Sequence, residues 1–205
     1  MNIASYIDHT ILRPDCTIRD IEQICGEAST HSFKAVCVPP YFVPSASQLL
    51  KDVEVKIATV IGFPMGYGTV SSKVEEIKRA LNDGADEVDV VINIAATKNG
   101  DWTYVRNDID SVTRAVHLKG KAIKLILETG LLDREEIIKL CELATVQPAE
   151  ENQNQGIRRD TGLSDGPQNG TSRSRPARKF FRDSNHERQY AGLEIRLSQN
   201  RFQID

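Results

Sequence analysis

The 205-residue sequence has few cysteines, no excess of positive charge and no long apolar run. Its four cysteines, Cys16, Cys25, Cys37 and Cys141, show no C-x-x-C spacing, which argues against structural zinc and a disulfide scaffold and favours reduced thiols in a cytoplasm. The net charge of −3 gives no electrostatic support for nucleic-acid binding. No apolar stretch approaches the roughly 18 residues of a membrane span, and the first residues lack the regions of a signal peptide, so we expect no membrane association.

The composition changes near residue 146. Residues 1–145 carry ten of the eleven lysines and six arginines, with 16 basic and 21 acidic side chains and a net charge of −5. Residues 146–205 carry one lysine and nine arginines, with 10 basic and 8 acidic side chains and a net charge of +2. These 60 residues also hold 12 Asn plus Gln and only ten Ile, Leu, Val or Phe, which is too few for a packed core. We therefore predict a folded domain over 1–145 and a disordered or frameshifted tail over 146–205.

Strand and helix patterns alternate along residues 1–145. The predicted strands are 5–8, 34–38, 55–61, 87–92 and 121–127, and the predicted helices are 17–31, 41–51, 71–83, 101–117 and 133–143. Such alternation indicates an α/β fold with a parallel sheet covered on both faces. Periodicity alone leaves open whether the sheet is doubly wound or closed into a barrel. Neither G-x-G-x-x-G nor G-x-x-x-x-G-K-[ST] is present, which argues against a Rossmann or P-loop nucleotide site.

Two charged side chains fall inside strands that should be buried. Asp89 lies in the strand 87–92, where alternation puts Glu87, Asp89 and Val91 on one face. Lys124 lies in the strand 121–127 among apolar neighbours. Because a buried charge is costly unless it is paired, each residue fits a structural ion pair. Each also fits chemistry, since a positioned carboxylate can transfer protons and a buried lysine can contact a carbonyl substrate.

Three further candidates, Asp8, Thr10 and Cys37, lie near strand ends. In parallel α/β folds the carboxyl ends of the strands carry the site. Asp8 and Thr10 either cap the turn that follows them or bind substrate hydroxyls. Cys37 is either a small core residue or a thiol that faces the site. His9, between the first two, is either a catalytic base or a hydrogen-bonded structural histidine.

Five motifs together resemble the deoxyribose-phosphate aldolases. They are Ile7-Asp8-His9-Thr10, Cys37-Val38-Pro39-Pro40-Tyr41, VIGFPMG at 60–66, DGADEVDVV at 83–91 and KLILET at 124–129, in order within about residues 4–145. The resemblance implies a (β/α)8 TIM barrel, here incomplete, with about five N-terminal βα units and an irregular C-terminal tail. It also implies a class I aldolase that uses no metal and no cofactor. Its reaction is the reversible cleavage of 2-deoxy-D-ribose 5-phosphate to glyceraldehyde 3-phosphate and acetaldehyde through a lysine Schiff base.

The resemblance gives roles to the candidate residues. Asp89 matches an aspartate that relays protons with a second lysine and a water, and Lys124 matches a lysine beside the Schiff-base lysine. Asp8, Thr10 and Cys37 match residues that line the substrate pocket. The implied partners are a sugar phosphate and an aldehyde, without nucleic acid or membrane, and a homo-oligomer is compatible with the family. The implied setting is nucleoside catabolism in the cytoplasm.

The resemblance stops after Ala144-Thr145. The family carries its Schiff-base lysine in K-T-S-T-G-F on the sixth strand, a second lysine in K-x-S-G-G-I-R on the seventh, and a G-T-S phosphate loop on the eighth. None of these motifs occurs in residues 146–205, and Lys179, the one later lysine, fits neither lysine motif. Covalent catalysis needs an amine within reach of the carbonyl, so we expect negligible aldol turnover.

A shifted reading frame explains the lost motifs and the change in composition together. One choice of codons for residues 151–159 reads Lys-Ile-Lys-Thr-Arg-Glu-Phe-Asp-Gly when its first base is dropped, which is close to I-K-T-S-T-G-F. We therefore hypothesise an insertion or deletion near codon 146. Two alternatives stay open: a non-catalytic fragment with no selected function, and a binding module whose arginines contact an acidic partner. The arginines in question are Arg173, Arg175, Arg178 and Arg182.

An incomplete barrel has consequences for stability. Five strands leave two open edges, one beside the first strand and one beside the fifth. We expect the apolar residues Val90, Ile92, Leu125 and Leu127 to face the barrel interior and to be partly uncovered. Such a chain would be marginally stable and prone to aggregate unless it associates.

Overall fold

The computed structural model describes residues 3–145 and the backbone of residues 193–196. In these residues strands and helices alternate, and short 3-10 turns cover Ile3–Tyr6, Pro40–Phe42 and Thr129–Leu131. The elements in chain order are β1 (Asp8–Thr10), α1 (Ile18–His31), β2 (Ala35–Val38), α2 (Val43–Leu49), β3 (Lys56–Ile61), α3 (Val70–Asn82), β4 (Glu87–Val91), α4 (Ile94–Lys98), α5 (Trp102–His117), β5 (Ala122–Ile126), α6 (Arg134–Thr145) and β6 (Leu193–Arg196).

Polar side chains fix where the longer helices begin. Before α1, the Thr17 backbone N–H donates to the Asp20 carboxylate at 2.6 Å, which satisfies a donor that the helix leaves unpaired. The Thr69 hydroxyl oxygen accepts from the Ser72 backbone N–H at the start of α3. Asp101 accepts from the backbone N–H of Tyr104 at the start of α5. The predicted helix starts near residues 17, 71 and 101 therefore agree with the structure to within a residue or two.

The sheet is entirely parallel, and its strands lie side by side in chain order from β1 to β6. A doubly wound sheet reverses its strand order at a switch point, whereas a (β/α)8 barrel adds each strand next to the previous one. The observed order therefore selects the barrel type between the two architectures that periodicity left open. The predicted incomplete barrel, with five N-terminal βα units, is confirmed.

Side chains alternate between two faces of the sheet. We call the face covered by the helices the outer face and the opposite face the inner face. Val90, Ile92, Leu125 and Leu127 belong to the large apolar cluster that the helices share with the outer face, and each is at most 1% exposed. The expectation that these four residues face the barrel interior and are partly uncovered was wrong. Asp89 and Lys124 face inward, so their sequence neighbours must face the helices.

Three local features differ from the sequence-based predictions. The first strand begins at Asp8 and not at residue 5, because Ile3–Tyr6 forms a 3-10 turn. The short helix Ile94–Lys98 was not predicted; the Asn93 side chain caps it by accepting from the Ala96 backbone N–H at 2.9 Å. The tail, which was expected to be irregular, supplies the strand Leu193–Arg196 beside β5.

The added strand corrects a further expectation. The edge beside β5 was expected to be open, but β6 pairs with it in parallel, with Lys124 opposite Glu194. Pairing satisfies the N–H and C=O groups that a strand edge leaves unpaired. A four-residue strand within a polar segment is too short to give a clear alternating pattern, so the sequence did not reveal it. Within the described residues, no helix combines the length and apolar character needed to cross a membrane.

Candidate active site

Lys124 lies at the centre of a cluster of carboxylates on the inner face. Its Nζ is 2.9 Å from Asp8 Oδ2 on β1, 2.9 Å from Glu87 Oε2 on β4 and 3.1 Å from Asp89 Oδ1 on β4. Asp89 is fully buried, and Glu87 and Lys124 are nearly so. The neighbouring strands place Asp89 directly opposite Lys124 in the β4–β5 register. The structure thus brings together three of the five predicted site residues, Asp8, Asp89 and Lys124.

The contact between Lys124 and Asp8 also reports the curvature of the sheet. In a flat sheet, β1 and β5 would be four strand spacings apart, or about 19 Å. One lysine and one aspartate cannot span that distance, yet Nζ and Oδ2 lie 2.9 Å apart. The sheet must therefore curl around its inner face, as it does in a barrel. Curvature is what converts residues 116 positions apart in the chain into one cluster.

Lys124 and Glu87 stabilise each other's charged forms in this cluster. Burial alone would lower the pKa of Lys124, but the charge of Asp89 and the hydrogen bonds to Glu87 and Asp8 outweigh burial and raise it. Burial would likewise raise the pKa of Glu87, but its hydrogen bond to Lys124 and the charges of Lys124 and Lys34 lower it. At neutral pH the Lys124 amine is therefore a cation and can act as an electrostatic partner rather than as a nucleophile.

Thr10 and Cys37 lie on the inner face beside this cluster, opposite each other in the β1–β2 register. The Thr10 hydroxyl donates to the backbone carbonyl of Asp8 at 2.9 Å, and Thr10 is exposed. Cys37 is fully buried and packs with Ala58 and Val60 in a small apolar cluster. The two residues therefore border the inner face without joining the ion pairs that the structure records for Lys124.

His9 points away from the cluster, on the outer side of β1. Its Nε2 lies 2.6 Å from Glu27 Oε2 on α1, and its ring packs edge-on against Phe33 with centroids 5.3 Å apart. These contacts favour the structural interpretation of His9 over a catalytic one. They attach β1 to the first helix.

A second buried ion pair lies on the outer side, and the sequence did not suggest it. Lys73 on α3 is fully buried, and its Nζ donates to Asp108 Oδ2 on α5 at 2.6 Å and to the Val91 carbonyl at the end of β4 at 2.8 Å. Burial raises the pKa of Asp108, and the Lys73 charge offsets this only in part. Both residues lie on amphipathic helices, where charged residues normally face solvent, so the helical pattern gave no signal.

The loop after β3 packs tightly on the end of β4. Gly66 has φ of +70°, and a Cβ atom there would lie 1.8 Å from the Ile92 carbonyl oxygen. Only glycine allows both this backbone conformation and this approach. The VIGFPMG motif therefore shapes the carboxyl edge of the sheet near the predicted site. Lys179 and the arginines Arg173, Arg175, Arg178 and Arg182 lie outside the described residues.

Comparisons with known proteins agree with this geometry. The family described as DeoC/LacD family aldolase matches residues 2–147. The deoxyribose-phosphate aldolase of Thermococcus gammatolerans is 52% identical over 146 residues, which is 70% of this chain and 65% of that protein. That of Thermoanaerobacter sp. is 48% identical over 144 residues, with the same two coverages. The tetrameric structure of deoxyribose phosphate aldolase from Aeropyrum pernix aligns with a TM-score of 0.64 at 29% identity, over 69% of this chain and 59% of that one.

The similarity covers only part of this chain and only part of each relative. This chain spans about 65% of the length of these two curated relatives. The matched residues end close to the point at which the composition changes. The five motifs noted in the sequence all lie inside the matched region.

Proposed function

This chain belongs to the DeoC/LacD aldolase family, and from that membership we propose that residues 1–145 are the first five βα units of a deoxyribose-phosphate aldolase barrel. The proposed reaction of the whole barrel is the reversible cleavage of 2-deoxy-D-ribose 5-phosphate to glyceraldehyde 3-phosphate and acetaldehyde. One observation carries the proposal: Lys124 lies 3.1 Å from Asp89 on the inner face, so two residues to which the family resemblance gives roles in the site are in contact.

The inner-face residues have distinct proposed roles. Asp89 relays protons, because its burial and its ion pair fix a carboxylate where a carbonyl substrate would lie. Lys124 stays cationic and stabilises negative charge next to it. Asp8, Thr10 and Cys37 line the substrate pocket at the neighbouring strands β1 and β2. No metal or cofactor enters this proposal.

The 205-residue chain itself is proposed to have negligible aldolase turnover. The printed sequence contains neither the K-T-S-T-G-F nor the K-x-S-G-G-I-R motif, so the nucleophilic amine of the family is missing. Lys124 is a poor substitute, because the carboxylates around it raise the pKa of its amine. We attribute the loss to a shift of reading frame near codon 146. The change in Lys, Arg, Asn and Gln content at that point supports this explanation.

The cellular setting is part of the same proposal. A role in nucleoside catabolism in the cytoplasm fits the four cysteines, which are all free thiols. A homo-oligomer is proposed because the similar protein of Aeropyrum pernix is tetrameric.

Trapping of a Schiff base tests the proposed inactivity. The purified chain is mixed with 2-deoxyribose 5-phosphate or acetaldehyde and sodium borohydride, and the intact mass and peptides are measured. We expect no cleavage product and no reduced adduct on a single lysine. A reduced adduct that forms at neutral pH on one specific lysine would show that an active amine is present and would contradict the proposal.

The coding DNA tests the shift of frame and the role of Asp89 together. An alternative frame after codon 145 should encode the two lysine motifs, and a gene with that frame restored should produce an active aldolase. In this restored protein Asp89→Asn should lower kcat by about 100-fold or more, because proton transfer by a positioned group contributes this much. Thr30→Ala, on the exposed side of α1, is the matched control and should leave kcat unchanged. The absence of both motifs from every frame would disprove the shift.

A further inference from the structure

Glu87 occupies a place in the inner cluster to which neither the motifs nor the comparisons give a role. It lies two residues before Asp89 on the same face of β4, and its Oε2 is 2.9 Å from Lys124 Nζ. We propose that Glu87 is a positioning residue that holds the Lys124 ammonium group against Asp89 and prevents this amine from adding to aldehydes. The inference rests on the proposed function for the roles of Asp89 and Lys124, but not for the contacts of Glu87.

Glu87 is itself held in place from the other side. Lys56 Nζ lies 3.2 Å from Oε1, and Lys34 Nζ lies 3.6 Å from Oε2. Its side chain is only 3% exposed, so water cannot easily replace these partners. Both carboxylate oxygens are therefore engaged, and the carboxylate stays ionised at neutral pH because the surrounding amines lower its pKa. A fixed, ionised carboxylate is what is needed to orient an ammonium group.

The direction of the contacts explains why Glu87 matters for reactivity. Asp89 stands directly opposite Lys124, and Asp8 reaches the amine from across the curved sheet. Glu87 adds a third carboxylate from the amino-terminal side of β4, so the ammonium group is surrounded. Burial lowers the pKa of Lys124, and the carboxylates around it raise that pKa. Replacing Glu87 by an uncharged residue would leave only Asp8 and Asp89 to counteract burial. Burial favours the neutral amine, so the neutral fraction of Lys124 would increase.

Only the neutral amine can react with an aldehyde. Its nitrogen lone pair attacks the carbonyl carbon, and the resulting carbinolamine loses water, which carries off the carbonyl oxygen and two amine hydrogens and leaves an imine. Cyanoborohydride then supplies a hydride to the imine carbon and, with a solvent proton on nitrogen, converts it to a stable secondary amine. The rate of this alkylation at Lys124 therefore measures how much neutral amine is present.

The experiment compares the wild-type chain with Glu87→Gln. Both proteins are treated with acetaldehyde and cyanoborohydride at several values between pH 7 and 10, and alkylation of each lysine is followed by peptide mass spectrometry. The rate at Lys124 is divided by that at Lys51, whose side chain is 71% exposed. We expect this ratio to rise at least about tenfold in Glu87→Gln, because each unit by which a pKa falls raises the neutral fraction tenfold. Glu54→Gln, an exposed change of the same chemistry, should leave the ratio unchanged.

The nitrogen-15 titration of the Lys124 side chain separates positioning from simple loosening. Loosening would raise the alkylation rate and leave the midpoint of this titration in place, whereas the proposal requires the midpoint to lie at lower pH in Glu87→Gln than in the wild type. Lys73, buried on the outer face, reports the fold and should stay unmodified. An unchanged Lys124 ratio, or a raised ratio with an unmoved midpoint, would overturn the inference. Turnover by the wild-type chain would instead overturn the proposed inactivity and leave this inference standing.

A measurement on the wild-type protein decides the matter if Glu87→Gln exposes Lys73. The nitrogen-15 resonance of the Lys124 side chain should keep its ammonium position up to pH 10.5, the ordinary pKa of a lysine side chain. Titration of the Lys124 resonance below that pH would show that Glu87 and its neighbours do not hold the charge, and the inference would be wrong.

Discussion

The two faces of one sheet bury a lysine in different ways. On the inner face, Lys124 meets three carboxylates from two strands, Asp8, Glu87 and Asp89. On the outer face, Lys73 meets one carboxylate, Asp108, and one backbone carbonyl. The outer lysine is fully buried and joins α3, α5 and the end of β4. The inner lysine instead shares its positive charge among three carboxylates.

This difference in partners indicates a different role for each of the two lysines. One ion pair with well-placed hydrogen bonds is the least that a buried ammonium group needs in order to remain charged. Three carboxylates exceed that need, and they raise the pKa of Lys124. The outer pair therefore serves the attachment of helices to the sheet. The inner cluster maintains a defined charge pattern, which is the property expected of a site that handles protons.

The largest expected effect comes from Lys124→Met. The change leaves the buried carboxylates of Glu87 and Asp89 and the partly buried carboxylate of Asp8 without their shared cation, so we expect a loss of about 3–5 kcal/mol in the free energy of unfolding at pH 7. The loss should shrink as the pH falls, because the carboxylates take up protons. Urea unfolding at pH 7 and pH 5 measures both quantities. A loss that is small at pH 7, or the same at both pH values, would show that the inner cluster is not a set of mutually dependent charges.

Lys73→Met should have a smaller effect, of about 2–3 kcal/mol at pH 7, because it strands one carboxylate and one carbonyl. Asp108 also has a raised pKa, so a proton can neutralise it more easily once the lysine is gone. Since a raised carboxyl pKa favours the folded state as the pH falls through it, the loss should diminish as the pH falls towards 3.8, the ordinary pKa of aspartate, and should not change further below that value.

A second change tests the outer pair as a structural unit. Adding Asp108→Leu to Lys73→Met should restore at least half of the lost stability, because a buried ion pair can be replaced by apolar groups of similar volume. If Lys73→Met costs as much as Lys124→Met, the proposed contrast between the two faces fails.

The amino-acid sequence was sufficient for the overall architecture. Apolar strands such as 55–61 and 87–92 alternate with helices of clear periodicity, and these patterns predict a parallel α/β fold because they depend on local chemistry. Two short elements show where local sequence patterns fail to predict structure. The helix Ile94–Lys98 has only five residues, which is too short for a periodic signal. The strand Leu193–Arg196 depends on pairing with β5, which no local pattern encodes.

The site could be predicted only in part for a similar reason. Asp89 and Lys124 stood out because each interrupts an apolar strand, and alternation placed Glu87 on the same face as Asp89. The contact of Lys124 with Asp8 requires the curvature of the whole sheet, and that of Lys73 with Asp108 requires the packing of two helices. Both are consequences of tertiary structure, so residue spacing could not reveal them.

The contribution of Glu87 to stability should depend on pH. The pKa of Glu87 is lowered below its ordinary value of 4.5, so this residue contributes stability above pH 4.5 and loses that contribution as the pH falls through its folded-state pKa. We expect the difference in stability between the wild type and Glu87→Gln to be greatest near pH 7 and to narrow below pH 4.5. Chemical unfolding between pH 3 and 7 measures this difference. A difference that widens in acid would reverse the assigned direction of the pKa shift.

The smallest expected effect belongs to Lys56→Met, at the solvent end of the inner network. The Lys56 side chain is 55% exposed, although its partner Glu87 is buried. Water and salt therefore screen this pair, and we expect a loss below about 1 kcal/mol that largely disappears in 1 M salt, where screening acts within roughly 3 Å. Lys78→Met, which breaks an exposed pair with Glu75 on α3, is the matched control and should have no measurable effect. A large, salt-independent loss for Lys56→Met would mean that the charged network of the inner face extends to the surface without weakening.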